Sequence, residues 1–272
     1  MNMNMNLICS TGRAGDKTNG TLLGAELTAK AIHKKFNIKT LAVGKYYPPQ
    51  QDDWSLSLPQ AKETLENIRA TISKNIEKRK VTVLISNACS ISLATMPVVV
   101  KNYPDIKILW IDAHGDFNTP NTSETGYLGG MVVSAICGLW DSGHGAGVRA
   151  EQIALVGTHD IDPAEAELIR KAEIKIFPPE KVLPINILEF IGDSKVWIHV
   201  DWDVLEPGSI PADYQVRGGI TLKQIQNVFK AIPVDQVLGL ELAEFQDDAG
   251  SGNIPEAIEN IVNTFELLFD LN

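Results

Sequence analysis

The stretch IKILWIDAHGDF, residues 106–117, indicates how this chain folds and where its chemistry lies. Its first half is a short apolar run of the kind that forms a buried strand. Its second half places Asp112, His114 and Asp116 at alternate positions, and residues two apart in an extended chain point to the same side. The stretch therefore predicts a buried strand whose carboxyl end carries three converging polar groups.

Seven further runs rich in β-branched residues occur along the chain, and amphipathic patterns lie between them. Apolar residues recur every three or four positions in these patterns, most clearly at 23–36, 59–79, 163–172 and 254–269. Alternating strands and helices form a parallel sheet with helices on its faces, so we predict an α/β fold. The eight predicted strands are residues 6–10, 39–44, 81–86, 106–112, 153–159, 174–177, 195–201 and 236–242.

Length and charge limit the possible functions. The chain has 272 residues, of which 44% are hydrophobic, so it can bury a sizeable core. No linker rich in proline, glycine or serine divides it, and we expect residues 1–272 to form a single domain. With 24 lysines and arginines against 34 aspartates and glutamates, the formal charge is −10. This charge argues against nucleic-acid binding and suits a small cationic substrate.

The cysteines and the first residues indicate a cytoplasmic protein. Cys9, Cys89 and Cys137 have neither the spacing of a zinc site nor that of a disulfide framework. The chain does not start with a basic segment followed by a long apolar stretch, and no run approaches the ~18 apolar residues that span a membrane. We expect no interaction with membranes.

Polar residues follow several of the predicted strands. Ligands of open parallel sheets collect at the carboxyl ends of the strands, where the connecting loops diverge. Besides the three polar groups at 112–116, this edge receives acidic residues after the fifth, seventh and eighth strands, namely Asp162, Asp201, Asp203, Glu241 and Glu244. Many carboxylates are thus expected at one edge of the sheet.

Four of these carboxylates and one imidazole predict a metal centre. Desolvated carboxylates crowd together only if they are protonated or neutralised by a cation. Oxygen ligands with one nitrogen suit manganese better than calcium or structural zinc. Two ions ~3.5 to 4 Å apart would lower the pKa of a water between them, which indicates a hydrolase. The predicted ligands are Asp112, His114, Asp116, Asp201 and Asp203.

The pattern Asp-X-His-X-Asp at 112–116, or Asp-X-Asp at 201–203, would by itself equally suit a solvated strand end. Two such patterns at the ends of separate strands favour a metal site. The segments WIDAHGDFNTP (110–120), HVDWDVLEP (199–207), RGGIT (217–221) and GLELAEF (239–245) also resemble those of the ureohydrolases, the arginase and agmatinase family. The similarity extends from GRAGDKTNGTLLGAEL (12–27) to the last helix. It implies an arginase-like three-layer α/β/α sandwich around an eight-stranded parallel sheet and hydrolysis of an amidino carbon, with two Mn²⁺ ions per chain.

The resemblance also implies a role for individual residues. Asp112 and Asp201 would bridge the two ions, His114 and Asp203 would complete one ion, and Asp116 would bind the other and relay a proton. Glu244 would hold the substrate guanidinium, whose planar fork matches a carboxylate. Asn118 and Thr125 would recognise an α-carboxylate, and Asp162 would lie near an α-amino group.

Two positions depart from the family pattern. Cys89, in SNACS (86–90), replaces the histidine that completes the second metal position. A soft thiolate suits manganese poorly, so this position is expected to bind it weakly or to select another ion, unless Cys89 is a small core residue. His199, two residues before Asp201, either orients a ligand or is a hydrogen-bonded core residue.

The second departure is Gly129, which occupies the place of the histidine that serves arginases as a proton shuttle. Loss of a general acid typically costs ~100- to 10,000-fold in rate. A less basic leaving group, such as hydroxyurea, needs less protonation, and the chain resembles the cysteine-bearing branch that acts on Nω-hydroxy-L-arginine. The sequence therefore predicts a manganese-dependent hydrolase of that compound or of L-arginine. The alternatives are hydrolysis of agmatine, guanidinobutyrate or formiminoglutamate, and a catalytically silent, metal-poor binding protein.

Overall fold

The computed structural model describes residues 5–247 and 253–271, and eight strands form one sheet. Every pairing between them is parallel, in the order β2-β1-β3-β8-β7-β4-β5-β6. All eight predicted strands are therefore confirmed. The strands are β1 (Met5–Ser10), β2 (Thr40–Val43), β3 (Val81–Ile85), β4 (Lys107–Ile111), β5 (Ile153–Val156), β6 (Lys175–Phe177), β7 (Val196–Asp201) and β8 (Val237–Ala243).

Helices cover both faces of the sheet and give three layers. Apolar side chains of α1, α6, α7 and α8 pack on one face, and those of α2, α3, α4 and α5 pack on the other. The predicted three-layer α/β/α sandwich is therefore confirmed. The helices are α1 (Gly20–Phe36), α2 (Trp54–Glu77), α3 (Ser92–Asn102), α4 (Val132–Ile136), α5 (Pro163–Ala172), α6 (Pro184–Ile191), α7 (Leu222–Ala231) and α8 (Ile254–Phe269).

Some element boundaries differ from the sequence prediction for local reasons. Helix α2 begins five residues before the predicted start at Pro59, because the Asp53 side chain caps it by accepting a hydrogen bond from the Ser55 amide. Strand β5 ends three residues early, because Gly157 follows it with a φ of +83°, which is incompatible with an extended strand.

The strand order positions the site. The chain fills one edge of the sheet with β1 to β3 and the other with β4 to β6, and β7 and β8 then close the gap. As a result β3, β8, β7, β4 and β5 are consecutive neighbours, and the loops that leave their carboxyl ends meet. Among the described residues, none of the helices is both long and apolar enough to cross a bilayer.

Candidate metal centre and substrate pocket

The loop after β4 carries three of the predicted ligands, Asp112, His114 and Asp116. Asp112 is buried, and its Oδ1 accepts from the His114 amide at 2.7 Å while its Oδ2 accepts from Trp110 Nε1 at 3.1 Å. Asp116 has a φ of +48°, a left-handed conformation that is uncommon for a non-glycine residue. Such backbone conformations occur often at functional sites, where the surrounding structure maintains them.

The end of β7 presents the next two carboxylates against the same loop. Asp201 Oδ1 accepts from the Asp203 amide at 2.9 Å, and Asp203 Oδ1 accepts from the Ala113 amide at 3.1 Å. Asp203 Oδ2 lies 2.9 Å from His114 Nδ1, which joins the two loops directly. Asp112, His114 and Asp203 each offer a ligand atom within 4.8 Å of the others.

Cys89 extends this cluster on the β3 side. Its sulfur lies 3.2 Å from Asp201 Oδ2, and the sulfur groups with oxygens of Asp201 and Glu244 within 4.8 Å. In a third group, ligand atoms of Cys89, Asp112 and His199 likewise lie within 4.8 Å of one another. Asp116 belongs to none of these three groups, although it lines one cavity together with Cys89, His114 and Asp201.

The electrostatics of the cluster favour a bound cation. Burial and the neighbouring carboxylates raise the pKa values of Asp116 and Asp201 well above their ordinary range, and the pKa of Asp203 rises to about 6 for the same reasons. Asp116 Oδ2 is buried and has no hydrogen-bond partner in the described structure. A buried carboxylate oxygen without a partner is costly, so these residues fit a divalent metal that would neutralise them.

A buried polar network lies behind Cys89. His199 Nε2 is 3.3 Å from the Cys89 sulfur, and His199 Nδ1 is 3.0 Å from Glu241 Oε2. Burial raises the pKa of Glu241, but hydrogen bonds from His199 and two hydroxyls outweigh this effect and hold that pKa below its ordinary value. Glu241 is thus a carboxylate that accepts from Nδ1, and Nε2 is left to face the sulfur. The His199 ring also stacks on Trp110 at 3.7 Å between centroids.

The cluster lies at the base of a cavity of about 250 Å³. Asn118 Nδ2 donates to Asp162 Oδ2 at 3.3 Å, which brings two of the predicted substrate-binding residues together on its wall. Glu244 has a φ of +61° and accepts from the Cys89 amide at 3.0 Å, so its carboxylate adjoins the metal-binding groups. All of the predicted site residues except Asp112 line the cavity, namely Cys89, His114, Asp116, Asn118, Thr125, Asp162, Asp201, Asp203 and Glu244.

Several residues that line this cavity were not predicted from the sequence, and Glu165 and Tyr127 are two of them. Glu165, in the first turn of α5, accepts from the Phe117 amide at 2.7 Å, and burial raises its pKa to about 7. Tyr127 points its hydroxyl at Glu244 Oε1, 3.4 Å away. Its ring covers Gly129, where an added Cβ would lie 2.5 Å from Tyr127 Cε1. Both residues lie in or beside the segments already singled out, but neither belongs to a repeating polar pattern that would have drawn attention to it.

Comparisons with known proteins identify the family of the chain. The family model described as the arginase family matches residues 12–262. The chain is 50% identical to the Nω-hydroxy-L-arginine amidinohydrolase of Streptomyces lavendulae, over 98% of this chain and 97% of that protein.

Solved structures support the fold at lower identity. Arginase from Bacillus subtilis superposes with a TM-score of 0.86 at 20% identity, with 98% of each chain covered. Entamoeba histolytica arginase in complex with L-ornithine gives a TM-score of 0.85 at 21% identity, with 99% of each chain covered. At these identities the structural match establishes the fold, whereas the family model and the Streptomyces relative establish the membership. The chain belongs to the arginase family and is a hydrolase of carbon–nitrogen bonds in amidino groups.

Proposed function

We propose that this protein hydrolyses the guanidino group of Nω-hydroxy-L-arginine in preference to that of L-arginine, releasing hydroxyurea or urea together with ornithine. The observation that carries the proposal is the position of Glu244. Its carboxylate lies within 4.8 Å of ligand atoms of Cys89 and Asp201 and lines the cavity, so a guanidinium bound to it would bring its carbon close to an activated water. The Streptomyces relative, which is named as an amidinohydrolase of Nω-hydroxy-L-arginine, supports the choice of substrate.

We propose that the ligands hold two Mn²⁺ ions in the division that the family resemblance implies. Asp112 and Asp201 would contact both ions, His114 and Asp203 would complete one, and Asp116 and Cys89 would complete the other. The two dications would supply an activated water at neutral pH. The contact between His114 and Asp203, and that between Cys89 and Asp201, support this division of the ligands.

The protein's own groups would orient the substrate and move its proton. Glu244 would accept two N–H hydrogen bonds from the guanidinium and so fix the carbon that is attacked. Asp116 would take the proton released by the attacking water, since its Oδ2 has no other described partner. At the amino-acid end, Asp162 would pair with the α-ammonium group, while Asn118 and Thr125 would hydrogen-bond the α-carboxylate.

Gly129 removes one candidate general acid. A residue without a side chain cannot protonate the leaving nitrogen, which for both substrates becomes the side-chain amine of ornithine, so the choice of the hydroxylated substrate rests on the Streptomyces relative. We further propose that residues 1–272 act as one domain in the cytoplasm, as a monomer or a homo-oligomer.

A substrate panel tests the proposed function. Protein reconstituted with Mn²⁺ is incubated separately with Nω-hydroxy-L-arginine, L-arginine, agmatine, guanidinobutyrate and formiminoglutamate, and hydroxyurea, urea, formamide and ornithine are measured. We expect the highest kcat/KM with Nω-hydroxy-L-arginine. A higher value with any other compound would contradict the proposal, and protein that retains no metal and turns over none of the five would indicate a silent relative.

A further inference from the structure

The phenol of Tyr127 occupies a distinctive place in the cavity. Its hydroxyl lies 3.4 Å from Glu244 Oε1, the same oxygen that accepts from the Cys89 amide. The ring is held from two sides, by Lys17 Nζ at 5.0 Å from its centroid and by the Tyr214 ring at 5.8 Å. The hydroxyl is therefore fixed beside the carboxylate that we assign to the guanidinium.

The small size of residue 129 allows this placement. A Cβ at Gly129 would lie 2.5 Å from Cε1 and 2.9 Å from Cζ of the Tyr127 ring, closer than non-bonded carbon atoms approach. Any side chain at position 129 would displace the ring. The glycine and the tyrosine therefore act together, because the absence of a side chain at 129 lets the phenol reach Glu244.

The two substrates differ in the hydrogen-bonding groups that they offer to the Tyr127 hydroxyl. A guanidinium bound to both oxygens of Glu244 competes with the Tyr127 hydroxyl for Oε1, which already accepts from the Cys89 amide. Guanidinium has five N–H donors and no acceptor, so L-arginine would leave the phenol hydrogen without a partner. The Nω-hydroxyl group adds one oxygen, which accepts a hydrogen bond. A site that hydrogen-bonds a substrate hydroxyl discriminates against the analogue that lacks it, because a buried donor is left unpaired.

We propose that the Tyr127 hydroxyl donates a hydrogen bond to the Nω-hydroxyl oxygen of the substrate and is the residue that selects the hydroxylated guanidine over the plain one. This inference rests on the proposed function and deepens it. Tyr127 is then a substrate-contacting, specificity-determining residue, and Gly129 provides the space that it needs.

The variant Tyr127→Phe tests the proposal, because it removes one oxygen and keeps the ring and its packing. We expect kcat/KM for Nω-hydroxy-L-arginine to fall by about tenfold, the effect of one lost hydrogen bond, while kcat/KM for L-arginine stays the same or rises. The ratio between the two substrates is the measured quantity. Tyr214→Phe is the matched control, since it removes a neighbouring phenol for which the described structure shows no hydrogen bond to Glu244, and the ratio should not change.

A second variant approaches the same hydroxyl from the other side. Gly129→Ala should displace the Tyr127 ring and lower the substrate ratio in the same direction as Tyr127→Phe, with no further decrease in the double variant. Manganese content is measured in every variant, so that a change in metal binding is recognised.

The outcomes separate this inference from the proposed function. If the unmodified protein prefers Nω-hydroxy-L-arginine and Tyr127→Phe keeps the same substrate ratio at equal metal content, the role of Tyr127 is wrong and the proposed function stands. If the unmodified, manganese-loaded protein shows no preference for that substrate, both are wrong.

Discussion

At the scale of single residues, Cys89 stands at the position where the resemblance to the arginase family implies a metal-binding histidine. The sulfur is buried. This burial, and to a smaller extent the negative charge of nearby carboxylates, raises the pKa of the Cys89 thiol well above its ordinary value. Binding of an ion would require loss of the thiol proton, and the resulting thiolate is a soft ligand beside hard carboxylates. The two metal positions are therefore expected to bind manganese unequally.

An imidazole at position 89 should strengthen manganese binding at the metal position that Cys89 would complete. His199 Nε2 lies 3.3 Å from the Cys89 sulfur, so Cys89→His alone lacks space, whereas Cys89→His combined with His199→Ala roughly conserves the buried volume. We expect the double variant to bind the second Mn²⁺ more tightly and to leave the first unchanged. Calorimetric titration of metal-free protein measures both affinities, with Cys137→Ser as a control for a thiol elsewhere in the chain. Two equally tight sites in the unmodified protein would show that Cys89 is a core residue only.

At the scale of elements, the site depends on strands that are neighbours in space but distant in sequence. β4 and β7 pair directly, in the register Trp110 with His199 and Ile111 with Val200. This register places the loop that begins at Asp112 opposite the end of β7, so that the Ala113 amide can donate to Asp203. β8 pairs with β7 on the other side and leads into Glu244.

Asp201, at the last position of β7, should be indispensable for both ions. It contacts Cys89 on one side and the Asp203 amide on the other, and its loss would remove a shared ligand. We expect Asp201→Ala to retain no manganese after desalting and to lose measurable activity. Elemental analysis reports the metal content. Asp193→Ala, an exposed carboxylate just before the same strand, is the control and should keep both ions. Two equivalents of manganese in Asp201→Ala would overturn the ligand assignment.

At the scale of the whole molecule, the sheet concentrates negative charge at the centre of its carboxyl edge. The chain has a net charge of −10, and four buried aspartates lie at or just after the carboxyl ends of β4 and β7: Asp112, Asp116, Asp201 and Asp203. Folding without metal must desolvate these groups next to one another, which opposes stability. A ligand that binds the folded state alone stabilises it by mass action.

Manganese should therefore raise the thermal unfolding midpoint, and a chelator should lower it. At a free metal concentration about 100 times the Kd, one site contributes about 2.7 kcal/mol to the free energy of unfolding. Calorimetric scans with Mn²⁺, with EDTA, and with sodium chloride of equal ionic strength measure the effect. The shift should disappear in Asp201→Ala. An unfolding midpoint that does not respond to manganese in the unmodified protein would contradict a structural contribution of the metal.

The amino-acid sequence by itself determined the architecture and the set of residues to inspect. Hydrophobic runs and helical periodicity are local properties, which is why all eight strands and the helices at 163–172 and 254–269 could be predicted. The alternate spacing of Asp112, His114 and Asp116 after a buried run indicated a site at the carboxyl edge of the sheet. The structure groups Asp112 and His114 with Asp203, and His114 and Asp116 line one cavity with Asp201 and Asp203.

Only the tertiary structure decided how residues from different loops meet. The position of the Tyr127 ring over Gly129 depends on the path of a loop that has no repeating pattern, and its approach to Glu244 spans 117 positions of the chain. The contacts of His199 likewise required the pairing of β7 with β4 and β8, which places its ring against Trp110 and Glu241. The positions of the strands along the chain follow from local sequence. Hydrogen bonds between distant loops follow from the order and register of the strands in the sheet, which the sequence pattern alone leaves open.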